Sequence, residues 1–193
     1  FEQTVSVDSA DGFGAELEIM AAVTDRLLLS GALGYLDTEM SNDELVQITG
    51  GFNVNVDGLE VPKAPKLTLN AAAEYRFQMG NNEGWVQLEL INRGGQFSDV
   101  ESLTYLQTDG PSPNQGLSRN SIVTHGDFPF RTPDYTVLNL RAGFDAGSWQ
   151  IVGYVQNLNE EVYYTGTQEN FGVSGFRLRP HPRIIGGSIS YSF

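Results

Sequence analysis

The chain has 193 residues, enough for one domain with a sizeable core, yet no run approaches the ~18–20 apolar residues of a membrane helix. Only 18% of residues are charged, against 22 glycines and 11% aromatics, which is unlike an ordinary soluble α/β domain. The net charge of −13 excludes a nucleic-acid binder, which needs a clustered basic surface, and the lack of cysteine excludes disulfides and thiolate metal sites.

Residues 1–8 alternate weakly and read as the end of a strand. After a turn at Ser9-Ala10-Asp11-Gly12, residues 13–23 set Ala15, Leu17, Ile19, Ala21 and Val23 on one face and Gly14, Glu16 and Glu18 on the other, the period of a strand. Thr24-Asp25 turns the chain into residues 26–40, where Leu27, Leu29, Leu33 and Tyr35 oppose Ser30, Ala32, Gly34 and Thr38. Residues 41–63 form a long acidic loop. Its Asn53-Val54-Asn55-Val56-Asp57-Gly58 has the opening spacing of a calcium loop, but Ala64 stands where a bidentate Glu is required, so a polar turn is expected. The cleanest strand follows at residues 66–77, with Leu67, Leu69, Ala71, Ala73, Tyr75 and Phe77 against Lys66, Thr68, Asn70, Ala72, Glu74 and Arg76. A turn over residues 80–84 leads to a strand at 85–92. Residues 94–131 are a very long Gly/Ser/Pro/Asn/Asp-rich segment, of a length that is commonly functional. Strands at 135–144 and 148–164 flank a tight turn, and a loop at 165–181 leads to a last strand at 182–193.

Short and long connections thus alternate strictly, the plan of an outer-membrane barrel with brief turns at one end and extended loops at the other. Charges in mid-strand (Glu16, Glu18, Glu74, Arg76, Glu89, Arg141) suit a wet lumen better than the dry core of a β-sandwich. Aromatics near strand ends on the apolar face (Tyr35, Tyr75, Phe77, Phe144, Tyr191, Phe193) suit interfacial girdles. The expected fold is all-β, an antiparallel transmembrane β-barrel of which this chain supplies seven strands, or eight if residues 1–8 contribute one.

Three stretches are similar to the C-terminal part of a TonB-dependent outer-membrane receptor. They are Asp57-Gly58-Leu59-Glu60-Val61-Pro62-Lys63 running into Ala64-Pro65-Lys66; Pro133-Asp134-Tyr135 with Val155-Gln156-Asn157-Leu158-Asn159-Glu160-Glu161-Val162-Tyr163-Tyr164; and Arg179-Pro180-His181-Pro182-Arg183 leading to Tyr191-Ser192-Phe193. The terminal signal departs from the usual pattern, with Ser188 where a glycine is common. The resemblance implies that residues 1–193 are the C-terminal portion of one larger barrel domain. Its plug domain and TonB box lie outside this chain, which starts at Phe1 without an initiator Met or signal peptide. It further implies energised uptake of a scarce nutrient, a ferric siderophore first, with cobalamin or an oligosaccharide as alternatives. The implied partners are outer-membrane lipid, the TonB complex, the barrel-assembly machinery and a siderophore-like small molecule. A small free-standing eight-stranded barrel with a structural or adhesion role is the other reading.

No catalytic chemistry, cofactor or metal is expected: His125 and His181 sit in separate loops without ligand spacing, and no nucleophile elbow or phosphate loop appears. Ligand contacts are expected at loop-base aromatics and arginines, which grip planar or anionic groups: His125, Phe128, Phe130, Arg131, Tyr163, Tyr164, Phe171, Phe176 and Arg177. The plainer reading of each is girdle or loop packing. Tyr191 and Phe193 are expected to act as an assembly signal.

Overall fold

A computed structural model describes residues 6–43, 46–48, 52–54, 56–98, 131–170 and 174–193, with the backbone alone at 46–48, 52–54, 167–170 and 174–177. Seven long strands form one antiparallel sheet: β1 (Ser9–Ala22), β2 (Leu27–Ser41), β5 (Leu67–Met79), β6 (Asn82–Arg93), β9 (Tyr135–Ala146), β10 (Trp149–Gln156) and β13 (Ile184–Tyr191). They lie side by side in chain order, so each pairs with its neighbours in sequence. Three small ladders stand in the long connections: β3 (Val46–Ile48) with β4 (Phe52–Val54), β7 (Gln96–Phe97) with β8 (Arg131–Thr132), and β11 (Gly166–Asn170) with β12 (Ser174–Leu178).

The alternation seen in each strand propagates without a slip across the whole sheet. Leu17 pairs with Leu33, Leu33 with Leu69, Ala71 with Leu90, Leu88 with Leu140, Leu140 with Val155, and Val155 with Ile185. One face is therefore apolar from edge to edge, and because side chains alternate with period two, the other collects Glu16, Glu18, Glu74, Arg76, Gln87, Glu89, Asn139 and Arg141. Among the described residues nothing covers the apolar face. Leu17, Ile19, Leu33, Leu88, Ile151 and Ile189 are all exposed, and the few buried apolar side chains among the described residues (Met40, Val56, Phe97, Val137) do not lie on it. A water-soluble sheet would cover such a face. Aromatics fringe it at both ends: Phe13 and Tyr35 beside the long connections, Tyr75, Phe77, Phe144, Trp149 and Tyr191 beside the short ones. From Leu67, opposite Tyr35, to Phe77 is a rise of about 34 Å along β5. Tilted as barrel strands are, by about 40°, this gives about 26 Å, close to the apolar band of an outer-membrane barrel.

Several expected boundaries shift. Residues 9–12 belong to β1 rather than to a turn; of residues 1–8, expected to contribute a possible eighth strand, 6–8 are not strand and 1–5 lie outside the described residues. The turn at 80–84 shrinks to Gly80-Asn81, since Met79 already pairs with Asn82, and Gly147-Ser148 is its counterpart between Ala146 and Trp149. Gly80 (φ 65°) and Gly147 (φ 62°) occupy the first central position, where a two-residue hairpin of type II′ requires positive φ. The strand expected to run to 164 ends at Gln156, because Asn157 (φ 53°) and Glu160 (φ 55°) are left-handed and cannot continue a ladder. Asp57-Gly58 is the expected polar turn; Asn55, part of the calcium-loop spacing, lies outside the described residues. The sheet does not close among the described residues: β1 and β13 are its two edges, so no eight-stranded closed barrel is formed.

Candidate functional site

The polar face is a charged wall, and part of it is internally paired. Arg76 bonds Glu74 (Nε to Oε1, 2.8 Å) and reaches Glu83 at 3.5 Å, while Asn139 Nδ2 donates to Glu89 at 2.8 Å. Two aromatic rings lie flat on this wall: Trp85 fills the space that a Cβ on its cross-strand partner Gly143 would need, and Tyr154 does the same over Gly186. A ring laid over a glycine restores the packing the glycine lacks.

At the long-connection end the wall rises into a rim. Residues 56–66 run back alongside β2, held by Met40 N–H to Leu59 C=O (2.8 Å), Gly58 N–H to Met40 C=O (2.9 Å) and Leu36 N–H to Lys66 C=O (3.0 Å). The strap is fixed to the next connection by Lys63 N–H donating to Phe97 C=O (2.8 Å). Under it Val56, Met40 and Phe97 are buried. In the β7–β8 ladder the Thr132 hydroxyl donates to Gln96 C=O (3.1 Å), and the Arg131 guanidinium lies over the Phe97 ring at 5.1 Å. Arg131 also donates to Glu60 (2.8 Å) and to Gly95 C=O (2.9 Å). Glu60 in turn stands 3.5 Å from Lys66, whose ammonium is 2.7 Å from Asp37. The Asp37 carboxylate bonded to Lys66 raises the ammonium's pKa above the usual 10.5.

The opposite part of the rim is built by residues 157–163. Buried Asn157 is bonded through every polar group of its side chain: Nδ2 donates to Glu161 C=O (3.0 Å) and Oδ1 accepts Glu161 N–H (2.8 Å). Its backbone N–H donates to Asn139 Oδ1 (3.0 Å), the same Asn139 that holds Glu89. Asn159 acts as a detached peptide group: Oδ1 accepts Leu138 N–H (3.0 Å) while Nδ2 donates to Thr136 C=O (2.7 Å). It thereby satisfies β9 groups that a longer β10 would have met. Tyr163 stacks on Tyr135 with ring centroids 4.3 Å apart, and burial, with Tyr135 alongside, pushes its phenol pKa above 10.0.

The sequence matches the family described as TonB dependent receptor-like, beta-barrel, over residues 2–158. The chain belongs to the TonB-dependent receptor β-barrel family. Two solved receptors share the fold: the ferric yersiniabactin uptake receptor FyuA from Yersinia pestis (TM-score 0.69, 19% identity, 95% of this chain and 24% of that one) and the siderophore receptor PiuA from Acinetobacter baumannii (TM-score 0.61, 16% identity, 93% and 21%). The chain spans about a quarter of the length of these receptors.

The sequence-predicted contact residues that fall among the described residues lie in the long connections at one end of the sheet. Tyr163 stacks on Tyr135, four residues after Arg131, and β11 lies against β8, the strand that carries Arg131. Phe176 and Arg177 sit in β12, paired with Gln168 and Thr167. Tyr164 is engaged within the rim. His125, Phe128, Phe130 and Phe171 lie outside the described residues. Sequence reasoning did not single out Tyr135, Glu60 or Lys66 as rim residues; a tyrosine opening a strand and a lysine preceding one look like ordinary strand ends. The Asn157–Glu160 run does carry a local signal, two asparagines just past a strand, asparagine being the commonest non-glycine residue at positive φ.

Proposed function

We propose that this chain is part of the barrel of an outer-membrane receptor that takes up a ferric siderophore, energised by TonB through a plug domain inside the barrel. One observation carries the reading in a chain of this family: seven strands hold a single apolar face without a slip, a charged face behind it, and every long connection at one end. Such a sheet faces lipid outward and water inward, crosses the membrane once per strand, and presents its long connections as a ligand-gathering rim. The rim supports a planar, anionic ligand, since it brings tyrosine rings and an arginine over a phenylalanine to one mouth. Of the two solved relatives, one is named as a siderophore receptor and the other as a ferric yersiniabactin uptake receptor. In this proposal Arg131, Tyr163, Tyr164, Phe176 and Arg177, with His125, Phe128, Phe130 and Phe171, contact ligand, and the protein performs transport rather than catalysis. Tyr191 and Phe193, stacked edge-on at 5.2 Å with Trp149 against Tyr191 at 4.7 Å, form the signal read by the barrel-assembly machinery.

The test is uptake of radioiron by cells with and without the full receptor, offered catecholate, hydroxamate and phenolate ferric siderophores in turn. Loss of the receptor, or of TonB, should abolish accumulation of at least one. Accumulation that is unchanged for all three in both deletions would overturn the siderophore assignment, and parallel arms with labelled cobalamin and an oligosaccharide would then identify the cargo.

A further inference from the structure

The β11–β12 hairpin is a two-stranded ribbon outside the main sheet, and such a hairpin alone is marginal in water. Its two legs are nevertheless tied at the foot. The incoming leg, residues 157–165, is fastened to β9 at four residues: Asn157 to Asn139, Leu158 N–H to Leu138 C=O, Asn159 to Thr136 and Leu138, and Tyr163 to Tyr135. The outgoing leg returns to it through Arg183, whose Nε and Nη2 donate to the carbonyls of Asn157 and Leu158 and whose Nη1 pairs with Glu160 at 3.0 Å. The left-handed turn at Asn157 takes both carbonyls out of the strand ladder, and that of Asn157 accepts Glu160 N–H (3.1 Å) as well as Arg183 Nε (3.5 Å). Just above, Thr165 N–H and its hydroxyl both donate to Leu178 C=O (2.9 and 3.3 Å), closing the legs on each other.

We propose that Asn157 and Arg183 are positioning residues: together they form a latch that holds the β11–β12 hairpin at a fixed angle over the mouth of the barrel. The latch rests on the receptor reading for its purpose, because a hairpin held in place presents Phe176 and Arg177 without ordering them at the moment of ligand binding. Its geometry does not depend on what the ligand is. Glu160, exposed and paired only at its tip, adds little, whereas the Arg183 guanidinium spans both carbonyls at once.

The test uses the full receptor in outer-membrane vesicles, spin-labelled at cysteines introduced as Glu169→Cys in β11 and Thr68→Cys in β5; this chain adds no native cysteine of its own. The wild-type background should give a narrow inter-label distance distribution. Arg183→Ala and Asn157→Gly should each broaden it at least about twofold while heat-modifiable gel migration shows the barrel intact, and should weaken binding of the siderophore that the wild type takes up by about tenfold. Glu160→Gln should leave the distribution narrow. Should Arg183→Ala not reach the membrane, Arg183→Lys carries the same test, since it keeps the charge and loses the forked donation to two carbonyls. A distribution that stays narrow in Asn157→Gly and in the Arg183 variant that assembles overturns the latch. A wild-type receptor that takes up no ferric siderophore refutes the functional reading instead and leaves the distance result standing.

Discussion

At the scale of single residues, the side chain of Asn159 does the work of a backbone peptide, and that role has a sharp chemical signature. Asn159→Asp keeps the oxygen that accepts Leu138 N–H but replaces the donor to Thr136 C=O with a second acceptor. Two oxygens then face each other, so the aspartate variant should be destabilised by about 1–3 kcal/mol, at least as much as Asn159→Ala despite its closer shape. Urea unfolding of the full receptor in vesicles would measure both, and an aspartate variant as stable as wild type would contradict the bridging role. Tyr163 carries a second prediction. Its phenol pKa is raised in the folded protein, so the undocked ring ionises first; docking on Tyr135 is therefore fully favourable below pH 10 and weakens as pH rises through and beyond it. An ultraviolet phenolate titration of wild type minus Tyr163→Phe should show a group ionising above 10.0; a difference curve at or below that value would remove the burial argument. Little of this residue-scale detail was legible beforehand. Arg131 was expected as a ligand grip, and the structure shows its guanidinium bonded to Glu60 and Gly95 and laid on Phe97, partners far apart in sequence that no local pattern announces.

For the strands, the opposite holds: period-two alternation survives because one face is apolar and the other polar across the whole sheet, so a one-residue slip would invert every side chain at once. The faces of β1, β2, β5, β6, β9 and β13 can be read directly from the alternation. What misled was termination. Residues 157–164 look strand-like by composition, but Asn157 places its backbone in the left-handed region and uses its amide on Glu161, a choice set by Asn139 on the neighbouring strand. The small ladders β7–β8 and β11–β12 hid in segments whose glycines, serines and polar residues signal loops. Face assignment gives a paired experiment on adjacent residues. Leu88 lies mid-strand on the apolar face and Gln87 beside it on the polar one, flanked by Glu74 and Arg141. Leu88→Arg should cost about 2–4 kcal/mol of folding stability in vesicles, as for a charge near the bilayer midplane. Gln87→Arg should change it by no more than about 0.5 kcal/mol, as surface substitutions do. Equal costs at the two positions would mean that the faces have been assigned wrongly.

For the whole molecule, the separation of short turns from long connections fixes an orientation across the membrane. Gly80-Asn81 and Gly147-Ser148 lie at one end, and the rim, with exposed Val162, at the other. In the full receptor on intact cells, Val162→Cys should react with a membrane-impermeant maleimide, whereas Asn81→Cys and Ser148→Cys should react only after lysis. The reverse pattern would turn the sheet upside down. The overall plan was readable from loop lengths alone, because hairpin geometry permits two residues at one end and the rim elements need many at the other. How the rim packs was not, since the strap at 56–66, the β7–β8 ladder and the Arg183 latch join segments that only the closed-up backbone brings together.

The strand order also bears on how the sheet is made. Because β1, β2, β5, β6, β9, β10 and β13 never leave chain order, each strand pairs with the next long strand in the chain, and loop-closure entropy grows only slowly over the three long connections. Growth from either end meets a finished edge at every step, with no later strand inserted between two earlier ones. Within this sheet, assembly can proceed as a zipper rather than as a search.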